Sequence, residues 1–244
     1  MCRHTTITMK KVSTRLVLSL VSALALLIAV APSAKAQSFS LGADLMSRYV
    51  WRGADFGESF SFQPALEFSA GNFAIGSWAS YSVSMDGAYA NEHDLYVSVG
   101  LGPVSIGITD YYFPGPGGTE FFDFSDDGEG AHFFELNASG GGTEDFPLTI
   151  SANIFFYNEP DNSVYIEFGY PFTVEDVELG VSLGIVPQES AFYGTNAFGV
   201  TVLGLSAAKE IPITEQFSLP ISVMYILNPT PGAARSFLVF GISI

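Results

Sequence analysis

Alternation with a period of two runs through most of this chain and constrains its fold more than any other feature. From Phe39, alternate residues read Phe39, Leu41, Ala43, Leu45, Ser47, Tyr49 and Trp51. Those between read Ser40, Gly42, Asp44, Met46, Arg48, Val50 and Arg52. Successive side chains of a strand point to opposite faces, so this pattern reads as a strand between two different solvents. Leu148, Ile150, Ala152, Ile154 and Phe156 oppose Thr149, Ser151 and Asn153 in the same way. So do Val177, Leu179, Val181, Leu183 and Ile185 against Glu178, Gly180, Ser182 and Gly184.

Twelve such segments are expected, near 39–52, 60–69, 73–83, 92–101, 104–113, 132–139, 147–157, 163–170, 177–186, 197–208, 217–227 and 235–244. The tenth shifts its apolar set between Val202 and Leu203, where a bulge is expected. A soluble sandwich also alternates, and three regularities favour a barrel in a membrane. Connections after even strands are mostly short, such as Gly71-Asn72, Gly102-Pro103 and Thr173 to Asp176, although Lys209 to Gln216 is longer. Those after odd strands include the long polar loops 114–131 and 187–196, as expected when one barrel end carries turns and the other exposed loops.

Aromatics gather at the loop end, among them Tyr49, Trp51, Phe60, Phe62, Tyr111 and Phe156, at the level of an interfacial girdle. The outward face carries no charge through its middle; Asp110, His93 and His132 reach it only near the loop rim. A charge at the bilayer midplane costs roughly 2–4 kcal/mol, so this absence suits lipid contact. Unpaired backbone groups in hydrocarbon cost several kcal/mol each, so the strands must close without an edge. The expected fold is all-β, a transmembrane up-and-down antiparallel β-barrel of about twelve strands.

The first residues set the compartment. Arg3, Lys10, Lys11 and Arg15 precede an apolar run from Leu16 to Ala31, and Ala34-Lys35-Ala36 has the small-x-small pattern of a signal-peptide cleavage site. Residues 1–36 are therefore expected to be a signal peptide cut before Gln37, and 37–244 a single barrel domain in the bacterial outer membrane. Beyond the signal, no stretch of about eighteen apolar residues could cross a bilayer as a helix. Cleavage removes Cys2, the one cysteine, so disulfides and thiolate metal sites are excluded. It leaves Arg48, Arg52, Lys209 and Arg235 against twenty-five acidic residues, a formal net charge of −21. Such a surface repels nucleic acid and holds cations nearby.

The stretch Asp44 to Gly53, followed by Gln63-Pro64 and Gly76-Ser77-Trp78-Ala79-Ser80, resembles the TorF-type porins, outer-membrane proteins with an S-x-Y-x-x-R-G segment in the first strand. Here that segment falls on Ser47, Tyr49, Arg52 and Gly53, and the likeness covers about 40–83. The resemblance implies an outer-membrane barrel of channel type, with no substrate and no catalytic residues attached. At the other end, Leu238, Phe240, Ile242 and Ile244 alternate outward to the last residue. That is similar to the terminal strand read by the barrel-assembly machinery, which is an expected partner along with the lipid bilayer. The signal usually ends in an aromatic residue, and Ile244 departs from it.

Asp44, Arg48, Glu67, Asp94, Glu135, Glu167 and Glu178 are the charged residues expected to face the lumen, with Arg48, Glu135 and Glu167 nearest mid-height. One reading is a wet, cation-preferring path for small solutes or cations. The other is that Arg48 pairs with glutamates and helps plug a narrow barrel, since barrel interiors are polar in either case. Arg52 lines the outer mouth or pairs with Asp55 or Glu58. The acidic loop Asp123 to Glu129 lacks the EF-hand spacing and reads as solvated. His93 and His132 lie near the rim as interfacial anchors, with no H-x-S-N-type segment to make either a general base. No metal, cofactor or catalytic constellation is readable. The expected function is passive transport by a porin; the alternative is a plugged barrel displaying loops such as 114–131 and 187–196, and a barrel enzyme comes third.

Overall fold

A computed structural model describes residues 37–84, 91–114, 121–230 and 235–244. The expected signal peptide, residues 1–36, lies outside them. The described residues hold no helix and form one closed barrel of twelve antiparallel strands. In chain order these are β1 (Gln37–Met46), β2 (Phe60–Ala70), β3 (Phe73–Val83), β4 (Glu92–Leu101), β5 (Val104–Tyr112) and β6 (His132–Gly140). They continue as β7 (Thr149–Tyr157), β8 (Val164–Val174), β9 (Val177–Val186), β10 (Gly199–Thr214), β11 (Phe217–Asn228) and β12 (Arg235–Ser243). Each strand pairs with its sequence neighbour, and β1 closes on β12 through Asp44–Ser243, Leu45–Ile242 and Met46–Gly241.

The alternation sorts the side chains as the period requires. Phe39, Leu41, Leu95, Leu205, Leu238 and Phe240 point outward and each leaves more than half its surface exposed. Exposing a Leu or Phe in water forgoes roughly 1.5–3 kcal/mol relative to burial. Six such residues would forgo on the order of 10 kcal/mol, which is comparable to the whole net stability of a domain. The exterior is thus suited to an apolar solvent. Inside, buried polar residues such as Ser61, Gln63, Glu92, Glu135 and Asn153 stand where a soluble core would be greasy.

Three expectations about the wall change. β10 runs on to Thr214, so the connection expected to be long over Lys209 to Gln216 shrinks to Glu215-Gln216. The bulge lies one turn of the ladder earlier than the sequence suggests. Gly184 faces Val202 and Ile185 faces Val200, which leaves Thr201 as the extra residue. Most importantly, β1 stops at Met46 instead of continuing through Arg52. Ser47 still reaches β12: its N–H donates to the Phe240 carbonyl at 2.8 Å, and its Oγ accepts from the Phe240 N–H at 2.9 Å. The chain then turns inward, so Tyr49 and Trp51 belong to the interior and not to an outer girdle. Tyr111 is interior as well, and only 7% exposed.

Candidate functional site

Residues 48–56 form a plug inside the loop-end half of the barrel. Val50–Trp51 pairs with Ala54–Asp55 as a small hairpin, and the Phe56 N–H closes it on the Tyr49 carbonyl at 2.9 Å. The tip is Arg52-Gly53, with φ of 50° and 84°. Two consecutive positive values define a type I′ turn, whose twist suits a two-residue hairpin. Glycine takes that conformation freely, whereas arginine there costs on the order of 1–3 kcal/mol. Gly53 is required for a second reason: a Cβ would lie 2.0 Å from the carbonyl oxygen of Thr201, the bulged residue of β10. The Gly53 carbonyl itself accepts from Asn228 Nδ2 at 3.1 Å.

The strained arginine is held by a buried latch. Arg52 Nη1 donates to Glu135 Oε1 at 2.5 Å and Nη2 donates to Oε2 at 2.9 Å, a two-pronged pairing that fixes the guanidinium plane. The same plane lies 4.2 Å from the Trp51 ring centre and 4.5 Å from that of Tyr165. Glu135 is fully buried and also accepts from the Tyr111 hydroxyl at 2.8 Å and from Asn137 Nδ2 at 2.7 Å. Every oxygen of the carboxylate is therefore engaged, which is what a buried charge needs to persist.

A second inserted segment completes the latch. Glu189–Ser190 pairs with Thr195–Asn196, and the turn between them carries Phe192 and Tyr193 into the barrel. The Tyr193 hydroxyl accepts from Arg52 Nη1 at 2.6 Å. Burial pushes that hydroxyl up to about 12, so it stays neutral beside the cation. Phe192 packs edge-on against Trp51 and Phe155, and the Ser163 and Ser190 hydroxyls meet at 2.6 Å. The 187–196 segment, expected as an exposed polar loop, is in part a lining of the lumen.

The expected lumen residues divide into two groups. Glu135 and Asp94 lie in the plugged half. Glu67 and Glu178 lie on the inner face toward the turn end, Glu167 borders the open space there, and Asp44 stands nearer the loop end of β1 opposite Gln63; Glu67 accepts from the Tyr96 hydroxyl at 3.0 Å and Glu167 from Tyr165 at 2.5 Å. Arg48 is not at mid-lumen. It pairs with Asp55 and lines a cavity of about 470 Å3 with Arg235, Ser236, Phe237 and Leu238. Arg52 is neither at the outer mouth nor bonded to Asp55 or Glu58; it is the buried cation of the plug. Tyr165 and Tyr193 were not singled out by sequence reasoning, which set Trp51 and Tyr111 in an outer girdle and not around this arginine. The one signal that could have found them is the Arg-Gly pair at a hairpin tip.

On the outer surface, the loop after β5 folds back onto the wall. Phe124 stacks on the His132 ring at 4.1 Å and Phe121 meets it edge-on. His132 is fully buried, with Nδ1 at 2.9 Å from Asp110 and Nε2 at 2.6 Å from the Phe121 carbonyl. His93 lies between Tyr81 and Tyr112. In the exposed acidic loop, hydrogen bonds from Ser125 hold the Asp123 carboxyl below its ordinary range.

The profile of a family of bacterial proteins of unknown function, Gcw_chp, matches residues 30–226. The chain belongs to that family. The match takes in the plug, its latch, ten whole strands and most of β11, so the Gcw_chp description applies to the barrel with its insertion. The TorF label suggested by Ser47, Tyr49, Arg52 and Gly53 is not part of that match and stands as a resemblance. No curated protein matches this Gcw_chp chain. Among solved structures it is similar to a KdgM porin, with a TM-score of 0.48 and 9% identity over 83% of this chain and 97% of that one.

Proposed function

We propose that this protein is an outer-membrane channel of porin type, exported with loss of residues 1–36, through which small hydrophilic solutes cross passively. The observation that supports this most is the inner face of the turn-end half. Ser105, Ser139, Ser151 and Glu167 are consecutive cross-strand neighbours and line a cavity of about 480 Å3. Small polar side chains leave a wetted space where a packed barrel would be filled. The plug narrows the passage at the loop end. Glu135 neutralises Arg52, whereas Asp44, Glu67, Glu167 and Glu178 have no arginine among their hydrogen-bond partners; this supports a preference for cations. The outward alternation to Ile244 supports recognition of β12 by the barrel-assembly machinery.

Conductance across planar bilayers tests the reading. The wild-type protein should give small discrete steps, Arg52→Ala larger ones, and Glu167→Gln a weaker cation preference by reversal potential. A second reading, a plugged barrel that displays loops, draws on the buried Arg52–Glu135–Tyr193 latch. Silence of both the wild type and Arg52→Ala, each verified as folded by its heat-dependent shift on gels, would leave that reading and remove the channel.

A further inference from the structure

Beside the plug, at the loop end of the inner face of β4, two carboxyl groups form no ion pair of their own. Glu92 and Asp94 are two residues apart and therefore share a face; they are 2% and 7% exposed. The Glu92 carboxyl contacts that of Asp94 and the hydroxyl of Tyr49. Directly opposite Glu92 in the β3–β4 ladder stands Ser80, fully buried, whose Oγ meets no hydrogen-bond partner. Facing side chains of such a pair have Cβ atoms about 4.5–5.5 Å apart, so the serine oxygen points into the space beside the carboxylate. Asp94 Oδ1 is likewise buried and unpartnered. The nearby guanidinium, Arg52, is already bound two-pronged to Glu135.

Two buried carboxyl groups in contact repel when both are ionised, at a cost of several kcal/mol, so either a shared proton or a bound cation must offset them. We propose that this pocket binds a calcium ion, with Glu92, Asp94 and Ser80 Oγ as protein ligands and the Tyr49 hydroxyl at its edge. Calcium takes six to eight oxygens, mixes carboxylates with neutral donors and keeps water, which suits two acids and a hydroxyl. The donors are two carboxylates and a hydroxyl, with no imidazole or thiolate among them, and such a hard-oxygen set suits calcium better than zinc. The ion ties Tyr49, and through it the plug, to the barrel wall. The proposal does not depend on whether the barrel conducts.

Terbium luminescence on the folded, detergent-solubilised protein tests it, with terbium as the calcium probe. The sequence has two tryptophans, Trp51 and Trp78. Trp51 is in the plug, while Trp78 is the ladder partner of Asp94 and packs on Tyr49 at 5.3 Å. Emission excited through tryptophan therefore reports an ion in the lumen and not one on the exposed acidic loop. The expected result is saturable emission that calcium displaces, abolished by Glu92→Gln with Asp94→Asn and unchanged by Asp126→Asn with Asp127→Asn. Absence of tryptophan-sensitised emission, or emission that survives the Glu92/Asp94 change, overturns the site. If that double variant does not fold, Ser80→Ala decides: calcium affinity should fall about tenfold, roughly 1.4 kcal/mol, and unchanged affinity overturns the assignment.

Discussion

Between the level of Arg52 and the turn end, the inner face of the barrel changes from aromatic and ionic to glycine and serine. The loop-end half holds Trp51, Phe155, Tyr165, Phe192 and Tyr193 around one ion pair. Each aromatic side chain buries about 150–250 Å2, so a few of them occupy most of a narrow lumen. In the other half, Gly100, Ser105, Ser139, Gly140 and Ser151 line open space. The same strands run through both halves. The difference is that loops add Trp51, Phe192 and Tyr193 to the wall's own Phe155 and Tyr165 at one end, while the open space at the other is lined by glycine and serine even beside the longest connection at that end, 141–148. A polar inner face is thus compatible with either content, and what the loops carry decides between them.

Substitutions can break or sharpen this contrast. Arg52→Ala leaves Glu135 as an unpaired buried charge and should lower unfolding free energy by about 3–5 kcal/mol in a denaturant titration. A loss as small as that of a turn-end serine would mean that the plug adds nothing to the wall. Gly53→Ala places a methyl against the Thr201 carbonyl and forces a left-handed alanine. The backbone alone should cost about 1–3 kcal/mol, and proteolysis between 48 and 56 should become faster. Tyr193→Phe removes an acceptor from a charged donor and is expected to cost about 1.5 kcal/mol. In the open half, Ser105→Ala should fall within about 0.5 kcal/mol of the wild type. Lys209→Gln, which removes an exposed pairing with Asp176 at 2.9 Å, should leave the midpoint unchanged.

The barrel was legible in the sequence because its signal repeats. Segments such as 149–157, 177–186 and 217–228 keep strict alternation, and the turns Gly71-Asn72 and Gly102-Pro103 place neighbouring strands side by side. The plug was not legible, for a physical reason. Tyr49 and Trp51 continue the apolar alternation of β1, and periodicity cannot distinguish an aromatic facing lipid from one facing a crowded lumen. The break depends on the partners of Ser47, Arg52 and Gly53, all far away along the chain: Phe240, Glu135 and Thr201. Loop 187–196 misled in the same way, since its polar composition hid the one Phe-Tyr pair that folds inward. Inner carboxylates were found by parity, but which arginine each would meet was not, because Arg48 and Arg52 share that parity.

The joint between β1 and β12 is the shortest ladder in the wall: three paired positions, framed by the reciprocal Ala43–Ile244 bonds and the Ser47–Phe240 contacts. It works as a clasp between the first and the last strand, whose paired residues lie about two hundred positions apart along the chain. The other eleven ladders join strands that are neighbours in sequence, so a curled sheet built from them keeps two raw margins until these distant segments meet. For the same reason amide exchange should release Leu45 and Ile242 before any other wall position, unzipping the ring at its thinnest seam.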